Sequence, residues 1–249
     1  MINQRFLFTA LTSTLALLFH ITAPAQSVNR SKTIKEIDSL RKQLSEKEEL
    51  FLLPSAEDKA AFAEFLKQPG TGLIRLLPRG LYEDMFTMRG GGAFYSFARL
   101  THEYGFGSDI ELRPVPANDF APSPIGEYTF HTGFAGVDYG FIVTLGDVPL
   151  EKVSLDHDGV KFLVAYHRPL EAPEARIEKK RAYDGIWENG YEYKNDTAVI
   201  ENYTYALRSI YFDKSDVLVA FRVARKEKDG SVMLLWKMLK RFSRPELAR

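Results

Sequence analysis

The chain contains no cysteine, so neither a disulfide nor a thiolate contributes to its stability, metal chemistry or catalysis, and no Cys can take a lipid at a processing site. It also lacks an excess of charge of either sign. The 33 Lys and Arg balance 33 Asp and Glu over 249 residues, which removes the electrostatic ground for a nucleic acid as the main partner. Past the N-terminal segment there is no apolar run near the ~20 residues that a spanning helix requires, so no transmembrane segment is expected after processing. Familiar catalytic motifs are missing too. No Gly-Lys-Ser/Thr phosphate loop, no His-Glu-x-x-His helix and no Gly-x-Ser-x-Gly elbow occurs, and Ser96 sits in an ordinary aromatic run, Phe94-Tyr95-Ser96-Phe97.

What is present begins with an export signal. Arg5 supplies a positive start, Phe6 to Phe19 is mostly apolar, and Ala23-Pro24-Ala25 places small residues where a signal peptidase reads, which predicts a signal peptide over residues 1–25. A cysteine-free exported chain of this length fits a bacterial periplasmic or secreted protein. Asn29, Asn195 and Asn202 each head a glycosylation-type triplet, which carries weight only in a eukaryotic secretory route.

Residues 26–53 read as a polar helical appendage or linker. Ile34, Ile37, Leu40 and Leu44 form a narrow apolar stripe at helical spacing, flanked by charged positions. Residues 54–249 read as a single globular, β-rich domain opened by a short helix, for which Ser55 is the N-cap and Pro69-Gly70 the stop. Strand signals follow from Leu73 onward, including Val160 to His167 and Arg176 to Tyr183, with Asp156-His157-Asp158-Gly159 as a hairpin turn. The clearest are three runs in the last third, Tyr203–Phe212, Val217–Lys226 and Val232–Phe242, joined by turn residues as an antiparallel meander. The fold class expected is mainly β, an antiparallel β-sandwich or barrel-like meander with one or two N-terminal α-helices.

The segment from Arg89 to Asp147 concentrates glycine, aromatic, His and Asp residues. Gly90-Gly91-Gly92 leads into a strand-like run and not into a helix N-terminus, so it predicts a tight connection and not a phosphate cradle. Around it, Tyr95, His102, Glu103, Tyr104, Asp109, His131 and Asp138 form the candidate ligand-binding set, because aromatic faces and polar tips together suit a glycan or an apolar ligand. The leading expectation is therefore an exported, non-catalytic binding or structural protein whose partner is a cell-envelope glycan, a lipid or a small apolar ligand. The alternative is a metal-dependent or carboxylate-based hydrolase drawing on His102, Glu103, Asp109, His131 and Asp138, with a divalent metal ion as the cofactor. The sequence itself requires no cofactor. From Lys214 to Arg249, ten Lys and Arg stand against four Asp and Glu, which predicts a cationic sheet edge.

Overall fold

A computed structural model of the protein describes residues 29–102, 104–105, 107–115 and 127–248. The predicted signal segment and Glu103 lie outside the described residues. The chain divides into two compact units, Met1–Ser39 and Leu40–Arg249. Of the first, the described part forms the opening turns of α1 (Arg30–Leu52), started by Asn29, whose side chain accepts from the Lys32 backbone N–H.

The second unit is mainly β, with two antiparallel sheets. Seven strands make the larger one: β1 (Thr71–Leu76), β5 (Tyr139–Gly146), β6 (Ile186–Glu188), β7 (Tyr191–Lys194), β9 (Thr204–Tyr211), β10 (Ser215–Lys226) and β11 (Val232–Arg241). Their order is β1-β11-β10-β9-β5-β7-β6. The smaller sheet is β2 (Phe94–Tyr95), β3 (Ile110–Pro114), β4 (Tyr128–His131) and β8 (Asp196–Ala198), in that order. Alternation along β10 shows how the layers meet. Val217, Val219, Phe221 and Val223 join Phe97, Ile110, Leu112 and Phe130 in one buried cluster between the sheets. Leu218 and Ala220 point to the opposite face and pack with residues of the helical layer. β9 is buried along its whole length because both of its faces are covered.

The C-terminal meander is as the sequence predicts, with β9, β10 and β11 paired in succession. Two expected strands are instead helices, α4 (Asp158–Ala165) and α5 (Ala172–Asp184). A short apolar run does not separate a strand from a buried helix by period alone, and here the caps decide. His157 Nδ1 accepts from the Gly159 N–H at 3.2 Å, so the segment read as a hairpin turn is the start of α4. Pro173 opens α5, and Gly185, at φ +92°, follows its last residue. Ala175 and Ala182, seven residues apart, are fully buried, and their small side chains let α5 lie close against the sheet.

The short helix expected after Pro54 is divided into α2 (Ala56–Ala61) and α3 (Ala63–Leu66), and Ser55 with Asp58 forms a full capping box. Asp58 also accepts two hydrogen bonds from Arg225 on β10, at 2.5 and 3.0 Å, which hold its carboxyl down at about 2. Arg222 likewise reaches Asp147 at 2.7 Å. The cationic C-terminal strands are thus partly neutralised within the fold. Within the second unit, the last turns of α1 are anchored to the loop after β1. Buried Glu48 accepts from Thr87 N, Thr87 Oγ1 and Met88 N at 2.5, 2.9 and 3.0 Å.

Candidate functional site

The outer face of the four-stranded sheet carries the candidate site. In β3, Ile110 and Leu112 face the core between the sheets, so alternation turns Glu111 and Arg113 the other way. Register then aligns the outward residues of all four strands. Phe94 pairs with Glu111, Glu111 with His131, and His131 with Asp196, giving a transverse row across β2, β3, β4 and β8. Around this row a cleft of about 370 Å³ opens, lined among others by Arg79, Arg89, Phe94, Tyr104, Glu111, Arg113, His131 and Phe134. That volume lies in the range of small-molecule sites.

The glycine-rich loop forms one rim. Gly90 has φ +82°, and a Cβ there would lie 2.6 Å from the Phe94 ring. Gly91, at φ +55°, would bring a Cβ to 2.8 Å from the Glu83 backbone nitrogen. Side chains are thus excluded so that the loop can close on the sheet edge, as a tight connection does. On the cleft wall, Phe94 meets Tyr104 edge to face at 4.9 Å between centroids and Phe134 at 5.4 Å, and His131 meets Phe134 at 5.5 Å.

Electrostatics in the cleft are uneven. Arg79 donates to Glu111 at 2.9 Å, and the Glu111 side chain is almost wholly buried. Burial pushes the Glu111 carboxyl up, against the opposing pull of Arg79 and Arg113. Arg113 approaches Asp196 at 3.8 Å, while the Arg89 guanidinium lies over the Tyr104 ring, 4.9 Å from its centroid. Burial first, then the charges of Arg113 and Lys179, lower His131 to about 3, so its imidazole is neutral at any ordinary pH. Its Nδ1 is buried with no hydrogen-bond partner among the described residues.

Of the residues predicted from sequence, Tyr104 and His131 stand in this cleft. Tyr95 and His102 line a separate cavity of about 390 Å³, bordered by Leu52, Leu73 and Ile74. There the two rings are 5.1 Å apart, and His102 Nε2 is 2.7 Å from the Arg75 carbonyl oxygen, a hydrogen bond that fixes the imidazole against β1. Asp109 is completely buried, and burial raises it to about 6 despite hydrogen bonds from Ser209, from the Ala98 N–H and from Ser96 Oγ. Asp138 is also raised to about 6 by burial, and it accepts from the Phe212 N–H at 3.0 Å. Glu103 lies outside the described residues. Among the described residues, no three of His, Asp and Glu gather as metal ligands would.

Sequence reasoning did not single out Arg79, Arg89, Glu111 or Arg113. The signal for two of them was the alternation Ile110-Glu111-Leu112-Arg113, which marks a strand with one apolar and one charged face. No family model matches the chain, and no curated protein or solved structure matches it either.

Proposed function

We propose that the protein is an exported, non-catalytic binding protein of the bacterial envelope, and that the cleft on the four-stranded sheet is its recognition surface. The observation that carries this reading is the transverse row Phe94–Glu111–His131, rimmed by the glycine-rich loop and by Tyr104 and Phe134. Aromatic faces and a few fixed polar groups around a concavity of this size suit a small ligand or one residue of a longer one, drawn from envelope glycans, lipids or small apolar compounds. Among the described residues the lining holds no Ser, Thr, Cys or Lys, and its one carboxylate, Glu111, is engaged by Arg79 at 2.9 Å. The placement does not favour the hydrolase alternative, since Asp109 and Asp138 line neither cavity and His102 lies in a different one from His131.

A thermal-shift screen of envelope glycan fragments, lipids and aromatic compounds tests the reading in the wild type and in Tyr104→Ala. A compound that raises the melting temperature of the wild type and loses most of that effect in the variant supports it. Compounds that stabilise both proteins equally place recognition elsewhere.

A further inference from the structure

The charge around the cleft indicates what it holds. Arg79, Arg89 and Arg113 all line it, and Lys179 is close enough to lower the imidazole of His131. Against these stand Glu111, which is bonded to Arg79, Asp196, 3.8 Å from Arg113, Glu83, whose charge is felt at Glu111, and Asp138, whose charge acts on Lys179. The described residues give Arg89 no carboxylate. Its partner is the face of Tyr104, an arrangement that leaves the guanidinium edge able to donate to a ligand.

Resting on the reading that this cleft is a binding site, we infer that its ligand is an organic oxyanion, whose charged group is held by Arg89 with Arg113 and whose flat apolar body lies against Tyr104 and Phe134. Arg supplies paired N–H donors matched to a planar or tetrahedral oxyanion, and a partly desolvated setting strengthens those bonds over their value in water. Glu111 sets the specificity on the other side: it already occupies Arg79, as Asp196 and Asp138 offset Arg113 and Lys179, so Arg89 is left for one anionic group and the cleft does not suit a densely charged polymer. Neutral His131 adds a polar contact without adding repulsion or attraction of its own.

The flat body can be an aromatic ring or the apolar face of a sugar, and matched probes separate the two. Phenylacetate against phenylacetamide, glucuronate against glucose, and inorganic phosphate are titrated by calorimetry into the mature wild-type protein and into Arg89→Gln. At least one organic acid is expected to bind about tenfold more tightly than its neutral partner, with the preference falling to near parity in Arg89→Gln and weakening with added salt. Unchanged melting of the unliganded variant shows that its fold is kept. A preference for phenylacetate assigns an aromatic acid, and one for glucuronate assigns an acidic sugar. Equal binding of acids and neutral partners at the cleft overturns the oxyanion and leaves the binding site standing. Phosphate binding as tightly as either acid overturns the role of the apolar body. Binding of none of the probes overturns both the oxyanion and the site.

Discussion

Replacing Asp109 with Asn should make the protein more stable at neutral pH and leave it unchanged in acid. Asp109 is wholly buried at the end of the inter-sheet core, where Oδ2 accepts from the Ala98 N–H at 3.2 Å and from Ser96 Oγ at 3.4 Å. Burial outweighs these donors and raises the carboxyl from 3.8 to about 6. The folded protein therefore binds this proton more tightly than the unfolded chain does. Stability from this group is complete below pH 3.8, falls as pH rises, and has been lost by the time pH passes 6. A displacement of roughly two pH units corresponds to about 3 kcal/mol, at about 1.36 kcal/mol per unit. Asn cannot ionise, keeps an oxygen for the Ala98 and Ser96 donors, and presents its amide to the Ser209 hydroxyl, which can turn to accept. In urea denaturation from pH 3.5 to 8, the difference between Asp109→Asn and wild type should start near zero and grow to about 3 kcal/mol in favour of the variant. Asp138 is raised in the same direction and is unchanged in both proteins, so its contribution cancels in the difference. A constant offset across that range would refute the reasoning, because it would show that folding does not change how tightly the aspartate holds its proton.

The buried Arg208 donates to both oxygens of Asp216 at 3.0 and 2.9 Å and to the carbonyls of Leu163 and Tyr166 at 2.7 Å each, so it ties α4 to the meander. Arg208→Leu should cost about 3–5 kcal/mol by leaving a buried carboxylate held only by Arg168, and Arg208→Leu/Asp216→Leu should recover much of that loss in the same denaturation assay. Gly91→Ala should cost about 1–3 kcal/mol, because it combines a positive φ with contact against the Glu83 backbone, whereas Gly105→Ala, facing open space, should cost less; thermal melts of the two variants check the order. A chain truncated to begin at Leu40 should melt like one that begins at Gln26, while one beginning at Pro54 loses the Glu48 bonds, and hydrogen exchange at Thr87 and Met88 should accelerate only in the last.

The meander was legible because each of its strands is long enough for alternation to repeat, and because Asp229-Gly230 marks its second turn. The helices α4 and α5 were not, for two different reasons. In α4, Val160 to Ala165 is a short apolar run that either structure accommodates, and its true cap is a histidine, an uncommon choice. In α5 the Pro and Gly punctuation was present, but the helix buries only two alanines, too small an apolar face to register as a stripe. The site was half legible. Glycine density located the loop, and Tyr104 and His131 were named. The arginines come from the loop after β1 and from β3, and only strand register brings Arg113 and Glu111 beside His131. His102 and Asp109, close to Tyr104 in sequence, lie outside the strands and turn away from the cleft because their side chains are held elsewhere, His102 by the Arg75 carbonyl and Asp109 by Ser96 and the Ala98 N–H.

The most direct test of the proposed recognition cleft is an amide chemical-shift map of the labelled protein, titrated with the best-stabilising compound from the thermal screen. The largest changes are expected at Arg89, Gly105, Glu111, His131 and Phe134, with Tyr95 and His102 in the neighbouring cavity little affected. Largest changes around Tyr95, His102 and Leu73, or on strands of the seven-stranded sheet, would contradict it.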